Sequence, residues 1–581
     1  MAVPVSSSLW RASILALSLA SGQNAQAQAT APSSITPQTL RPAAPDTSAA
    51  IAIPQVDGLV APQGSDALVV TPGTVTVEGA FPEVADETRA IVAQLQGHRL
   101  TLTQVYAAAS AIEAAYARAG YVLARVAIPP QQLTDHGPLR IVVVDGFIED
   151  IDVSGIPARV RNAVLARVRW LKGRRHVRLG AIEQPLLIAA QVPALTLTST
   201  LARGSTEGGT KLVLAGHQAL VSGSIGGDNS LAKSLGTYAV NAQVAINSAF
   251  GLGEQIYGLA SSGYDVTRMF NRNVPVRVLG GGVVLPVGDG RFTLNPEATF
   301  ARTQPTPAAG TPQSRGDLRR LTLRSDYVIE KTRAQAVDFT LAVEQIDETN
   351  TDLGFAPISH DRYMALRAGL SASATSYTGA SIGGSLQLSQ GLGSLGALSL
   401  SDLPAGTTFS RQGASRGFTK LDATVTALEP VGGGVVATVI AKGQSSFGEA
   451  LFRAEQGSLE GSDAVSGFVG GVTASDASVS LRGELGRTWS LPGTIATTWA
   501  PYLFGAGGLG RLEQPTIVEV RSIKVASIGV GLRFGLPRYG ITAAVEYAHN
   551  FSDLPSSAQS GRAQSGRAQF DRVQFSTSIH F

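Results

Sequence analysis

The sequence predicts a mainly β protein: a transmembrane antiparallel β-barrel forming the long C-terminal part of the chain, preceded by two small α+β units. Three observations carry that prediction. From residue 217 to residue 581, apolar and polar residues alternate with the period of two that a half-buried strand requires. The chain ends in "VQFSTSIHF", which places Val573, Phe575, Thr577, Ile579 and Phe581 on one face, and a terminal aromatic strand suits the closing strand of a barrel. Between Val75 and His217, the order strand, helix, helix, strand, strand is clear once and repeats less clearly a second time.

Taken in order, residues 1–29 have the layout of a secretory signal peptide. Arg11 precedes an apolar stretch from Ala12 to Ala20, and two small-x-small cleavage sites follow at Ala25 to Ala29. No other stretch approaches the ~18 uninterrupted apolar residues of a membrane helix. Residues 30–72 are rich in Pro, Ala, Ser and Thr and read as a flexible or extended linker, with room for a short helix at most.

The first α+β unit spans 73–147. "TVTVEGA" alternates as a strand, Ala85 to Leu95 is helical, and Leu102 to Arg118 places Val105, Ala109, Ile112 and Tyr116 on one helical face. Gly120 ends that helix, and "YVLARVAIP" and "LRIVVVDG" follow as strands. The second unit, 148–216, runs through "FIEDIDVSG", "ARVRNAVLARVRWL", "LGAIEQPLLIAAQ" and "TKLVLAG".

In the barrel region, 217–581, Tyr238, Val240, Ala242, Val244 and Ile246 oppose Asn241 and Gln243. Leu321, Leu323, Tyr327 and Ile329 oppose Arg320, Thr322, Arg324 and Asp326. Val479, Leu481 and Leu485 oppose Arg482 and Glu484; Ile528, Val530, Leu532, Phe534 and Leu536 oppose Arg533; Val545 and Tyr547 oppose Glu546. Soluble sandwiches also alternate, but this pattern is too long for one sandwich. Its polar face mixes Arg and Glu with small residues, as a wet lumen does.

Composition supports a cell-envelope protein. Only 15% of residues are charged, which is low for a soluble chain of this size, and the absence of cysteine avoids stray disulfides in an oxidising compartment. A net charge of +3 is too small to make nucleic acid the main partner. Several motif-like stretches carry no chemistry. "GASRG", Gly413 to Gly417, matches a nucleophile elbow around Ser415, but an alternating strand follows instead of a helix. "GAGGLG" likewise precedes strand-like sequence and Pro515, which excludes a dinucleotide loop. The seven histidines show no metal spacing, so no cofactor, metal or catalytic residue is expected. Eight Lys or Arg without an acid lie between Arg159 and Arg178; they read as a solvated helix face and basic loop, with anionic lipid or an acidic client segment as the functional alternatives.

These pieces resemble the outer-membrane transporters of two-partner secretion, the haemolysin-activator and filamentous-haemagglutinin-transporter type within the outer-membrane assembly-factor superfamily. The clearest local match is Tyr116 to Gly155, similar to the first periplasmic POTRA repeat of that family; Gly120, Tyr121, Pro130, Gln131, Gly137, Gly146 and Gly155 carry it. "GDNS", Gly227 to Ser230, resembles an Asp-Asn near the family's first barrel strand. The resemblance implies two POTRA domains in the periplasm and an outer-membrane barrel of about 16 strands, an even count as expected for bacterial barrels. It also implies a secreted β-rich partner, bound unfolded in the periplasm and passed through the lumen. A barrel-assembly insertase is the first alternative and a small-solute channel with periplasmic binding domains the second. Outer-membrane lipid is the other expected partner.

The same resemblance implies a site. In the family a sixth loop folds into the lumen with Val-Arg-Gly-Phe or Val-Arg-Gly-Tyr at its tip, and its Arg pairs with the Asp of a wall motif Phe-x-Asp-x-Gly. Here Val465, Ser466, Gly467 and Phe468 match the first with Ser for Arg, and Phe504, Ala506 and Gly508 match the second with Ala for Asp. Losing one member of a buried pair strands a charge at ~3–5 kcal/mol, whereas losing both strands none. The expectation is that Ser466 and Ala506 are neighbours in the lumen. The tip would then be held by Phe468 and by backbone contacts to Gly505, Gly507 and Gly508. Arg416 and Arg482 are the alternative positions for a latch cation.

Overall fold

In a computed structural model, the structure describes residues 31–42, 51–52, 61–263, 274–307, 312–353, 357–394, 396–491, 493, 497–517, 519–554 and 568–581. The signal-peptide reading of 1–29 lies outside the described residues.

The first α+β module forms around one amphipathic helix. Thr101 starts helix Leu102–Arg118 with a capping box, its hydroxyl accepting from the Gln104 amide while the Gln104 side chain accepts from the Thr101 amide. Gly120, at φ +92°, ends it. Val105, Ala109, Ile112 and Tyr116, the face expected from spacing, are all buried. They pack on Leu139, Ile141 and Val143, which point inward from strand Pro138–Val144. That strand is central, parallel to Thr74–Glu78 and antiparallel to the short strand Arg125–Ala127. Helix Ala85–Ala93 completes the module.

The second module has the same order. Strand Gly209–Gln218 lies between Phe147–Gly155, parallel to it, and Leu195–Arg203, antiparallel to it. Helices Ala158–Val168 and Leu179–Ala190 cover one face. Leu195–Arg203 is absent from the sequence reading, although Leu195, Leu197 and Ser199 are buried and Thr196, Thr198 and Thr200 exposed. Its threonines and serine mask the alternation, because a hydroxyl is tolerated on either face of a strand. The sheet edge it leaves is extended by Ile51–Ala52, paired parallel to Ser199 and Thr200.

The barrel runs from Val221–Asp228 to Ala568–His580 and closes antiparallel between them. Seventeen strand segments make 16 strands, because Ala477–Arg487 and Trp489–Leu491 pair successively with the same neighbour, Thr497–Arg511. The expected faces hold: Leu323, Tyr327, Ile329, Leu481, Ile528 and Val545 are exposed outward, while Arg320, Arg482, Glu484 and Glu546 are buried inward. The second module's last strand ends at Gln218 and the first barrel strand begins at Val221. Strands Ser314–Lys331, Gln335–Asp352 and Pro357–Thr375 have 18, 18 and 19 residues, well beyond the ~10 that cross a bilayer, so they project past the membrane.

The linker reading is corrected at one end. Residues 31–42 are not a free tether: Pro32–Ile35 form a single helical turn, and the segment threads the barrel lumen with Leu40 buried against Ala245, Tyr257 and Val284. Proline limits the helix, as expected, but the rest is held by wall side chains that only the closed barrel assembles.

Candidate functional site

The loop between Val435–Ser445 and Ala477–Arg487 comprises residues 446–476 and folds into the lumen. It enters on apolar anchors. Phe452 stacks on Tyr363 with ring centroids 4.5 Å apart and meets Phe409 edge-on at 5.3 Å. The next turn, Arg453–Glu455, carries a buried carboxylate. Glu455 is fully buried; its Oε1 accepts from Arg367 Nη2 (2.7 Å) and the Tyr363 hydroxyl (2.9 Å), and its Oε2 from Arg367 Nη1 (3.0 Å). Lys420 Nζ lies 3.1 Å from the Glu455 carboxylate, and Arg367 Nε also donates to Glu344 (2.8 Å). A forked guanidinium plus an ammonium on one buried carboxylate gives a charge-assisted clamp.

Beyond the clamp the loop doubles back. Gly457 pairs with Ser475, the Leu459 amide donates to Thr473 Oγ1 (2.9 Å), and the Val465 amide donates to the Leu459 carbonyl (3.0 Å). This hairpin delivers Val465, Ser466, Gly467 and Phe468 to the wall, all of them buried. Gly467 adopts φ +95°, and a Cβ there would lie 2.3 Å from the Asn550 amide, so only glycine fits. Phe468 meets Phe570 edge-on at 5.2 Å.

The charge at the tip comes from the wall. Arg482 Nη1 donates to Ser466 Oγ (2.9 Å), Nε to Glu484 (2.8 Å) and Nη2 to Glu546 (2.6 Å). Its guanidinium also sits 4.0 Å over the Phe504 ring. Arg482 is the register partner of Ala506. The structure therefore brings Ser466 and Ala506 to the same guanidinium. Arg416 lies elsewhere, donating to the Ala397 carbonyl.

The expected glycine contacts are partly replaced. Gly508 does face the loop: a Cβ on it would lie 3.0 Å from Leu459 and 3.3 Å from Val465. Gly505 and Gly507 stand on the opposite face of the strand and meet no loop atom. In their place the Ser527 hydroxyl donates to the Ser466 carbonyl (2.6 Å) and Arg572 Nη1 to the Gly467 carbonyl (3.3 Å).

The barrel seam meets this tip. Arg572 Nη2 also donates to the Asn229 carbonyl (2.6 Å). The Asn229 side chain accepts from the Phe575 amide (3.0 Å) and donates to the Val573 carbonyl (2.8 Å), extending the ladder of the last strand where backbone pairing stops at Asp228. Phe581 ends the seam, exchanging backbone hydrogen bonds with Gly223 (2.9 and 3.0 Å).

Of the residues singled out between Gly120 and Gly155, Gly120 and Tyr121 join the two modules, the Gly120 carbonyl accepting from the Leu179 amide (2.8 Å), while Gln131, Gly137 and Gly155 make contacts inside one module. Tyr121 is buried against Phe81 (5.0 Å) and His176 (4.7 Å). The Gln131 side chain pairs with the backbone of Arg140 (2.7 and 2.9 Å), and Pro130 precedes it. A Cβ on Gly146 would collide with the Leu123 carbonyl, one on Gly155 with Ala215, and one on Gly137 with Thr134. The basic stretch is mostly solvated, with Arg174 over Trp170 and Lys172 paired to Asp150 (2.8 Å). Arg167 is the exception: it is buried where helix Ala158–Val168 meets the barrel turns at Gly253 and Gly290, and burial pulls its pKa down to about 10. Among the described residues no cluster of His, Asp or Glu could hold a metal ion.

A closed 16-stranded barrel with POTRA-like modules at one rim and a hairpin folded into its lumen defines a bacterial outer-membrane barrel protein, its modules in the periplasm. The chain belongs to the haemolysin secretion/activation protein family ShlB/FhaC/HecB, whose profile matches residues 208–534; a ShlB-type POTRA domain matches residues 71–146. The outer membrane transporter CdiB of Escherichia coli is 28% identical over 230 residues, 39% of this chain and 37% of that protein, so the match spans little more than a third of the relative. The structure of CdiB from Escherichia coli matches with a TM-score of 0.67 at 20% identity over 100% of both chains. CdiB from Acinetobacter baumannii matches at 0.58 and 16% identity, again over 100% of both chains. At these identities the two structures bear on the fold.

Proposed function

We propose that the chain secretes one unfolded, β-rich partner protein across the outer membrane. The observation that carries this is the lumen itself: it is filled by two chain segments, residues 31–42 and the loop 446–476, joined to the wall by side-chain hydrogen bonds and by apolar anchors such as Leu40 and Phe452 rather than by strand pairing. Such a barrel can be emptied and refilled by another polypeptide. The periplasmic modules supply the capture step, because exposed sheet edges such as Thr74–Glu78 accept an extended segment as an added strand. Relatives named as outer membrane transporters support the same reading. No catalytic step is part of it, and the outward apolar belt is assigned to lipid.

Disrupting the gene should remove one exported β-rich protein from the culture medium, and restoring the chain should return it. A form lacking residues 75–145, which leaves strand Phe147–Gly155 whole, should insert at equal level and fail to restore export. An unchanged secretome together with defective outer-membrane protein assembly would replace this reading with the insertase one.

A further inference from the structure

The lumen wall holds residues 31–42 by main chain and side chain together, and four wall residues reach the main chain. The Ser33 amide donates to Glu348 Oε1 (3.1 Å) and the Leu40 amide to Glu297 Oε2 (3.0 Å). The Leu40 carbonyl accepts from Gln243 Nε2 (2.7 Å) and the Pro37 carbonyl from Arg320. These four wall residues stand on four different strands: Ala239–Asn247, Phe292–Thr303, Ser314–Lys331 and Gln335–Asp352. Together they present two acceptors for amide N–H and two donors for carbonyl groups. Side-chain hydrogen bonds join them: the Ser33 hydroxyl lies within reach of both oxygens of Glu348 (3.0 and 2.9 Å), the Thr39 hydroxyl donates to Glu297 and accepts from Arg324, and Arg41 donates to Asp326 (2.6 Å). An apolar seat lined by Ala245, Tyr257 and Val284 receives Leu40, and Ile35 packs on a second cluster that includes Tyr363 and Phe452.

Two of the wall groups also have unused capacity. Glu297 is 5% exposed and Arg320 8%, yet Glu297 Oε1 and Arg320 Nε have no hydrogen-bond partner. A buried polar atom left unpaired costs about 1–3 kcal/mol. A strip tailored to this one segment would satisfy both atoms. A strip suited to peptide main chain in varying register would leave spare donors and acceptors.

We propose that Gln243, Glu297, Arg320 and Glu348 form a binding strip for extended polypeptide main chain, and that residues 31–42 occupy it as a stand-in for the transported partner. Every polypeptide carries the same alternating N–H and C=O groups, so the strip recognises a passing chain without reading its sequence. When the partner enters, it exchanges with residues 31–42 hydrogen bond for hydrogen bond at these four side chains. This rests on the transport reading above.

The test uses the full chain lacking only residues 31–42, reconstituted in planar bilayers, with synthetic peptides as the probe. The native 31–42 peptide should block ion conductance. The same peptide with Ser33→Ala, Thr39→Ala and Arg41→Ala should block within about tenfold of the native concentration, because its main chain and Leu40 are intact. The native peptide N-methylated at Ser33 and Leu40 should need at least about tenfold more, since two charge-assisted hydrogen bonds are gone. Glu297→Ala with Glu348→Ala in the protein should impose the same loss on the native peptide. If that variant does not fold, the N-methylated peptide still decides. Failure of the native peptide to block overturns the proposal. So does the reverse order, in which the alanine peptide is inactive and the N-methylated one active, for the wall then reads side chains. Lost export with this ranking intact removes the transport reading alone.

Discussion

Replacing Glu455 by Ala removes the acceptor on which Arg367, Lys420 and Tyr363 converge. Stranding a buried charge by deleting its partner costs ~3–5 kcal/mol. Here the lower end applies, because Arg367 keeps Glu344 at 2.8 Å and Lys420 keeps Asp422 at 3.4 Å. A loss of about 3 kcal/mol corresponds to about a hundredfold rise in the undocked loop population. The chain has no cysteine, so a Ser466→Cys variant offers a single thiol at a position that is 0% exposed when the loop is docked. Its labelling rate with a membrane-impermeant maleimide reads the undocked fraction, since a buried thiol reacts only through opening. In that background Glu455→Ala should raise the rate about a hundredfold. Glu455→Gln, which still accepts a hydrogen bond, should raise it less. Labelling of Glu455→Ala within about threefold of its parent would mean that the clamp does not hold the loop.

Two further outcomes are expected. Ser466→Arg should lower the temperature at which the barrel loses its compact electrophoretic form, because it sets a second guanidinium against Arg482. Ala506→Asp, facing Arg482 across the ladder, should recover much of the loss, and strictly additive effects would show that the two sites do not communicate. Asn229→Ala should lower the same temperature by removing two ladder-like hydrogen bonds at the seam, worth about 1–3 kcal/mol together; an unchanged value would show that the seam is held by backbone pairing alone.

The barrel was legible because its period is local. Residues two apart share a face, so Leu321 and Leu323 against Arg320 and Thr322 reveal a two-sided strand without reference to any partner strand. The first helix face was legible for the same reason: Val105, Ala109, Ile112 and Tyr116 are spaced by the helix itself. Strand Leu195–Arg203 escaped because its alternating residues include Thr and Ser, which do not declare a face.

The candidate site was legible in its parts and not in its wiring. The motif positions Val465 to Phe468 and Phe504 to Gly508 could be placed by resemblance, and Arg482 and Glu546 could be assigned to the inward face. That Arg482 serves Ser466, Glu484 and Glu546 at once depends on register across four strands and on where the loop descends. Glu455 and Arg367 are 88 residues apart, and nothing in the spacing of either predicts the other.

By itself, then, the sequence determined the properties that repeat every two or every 3.6 residues: that the long C-terminal part is built of two-sided strands, which face of them is wet, and which face of the first long helix is buried. Only the tertiary structure decided that residues 31–42 lie inside the barrel, that the loop is clamped at its base by Glu455, and that Asn229 and Arg572 tie the seam to the loop tip. Periodicity is a property of neighbouring residues. A hydrogen bond across a lumen is a property of a closed surface, fixed only when the first and last strands have met.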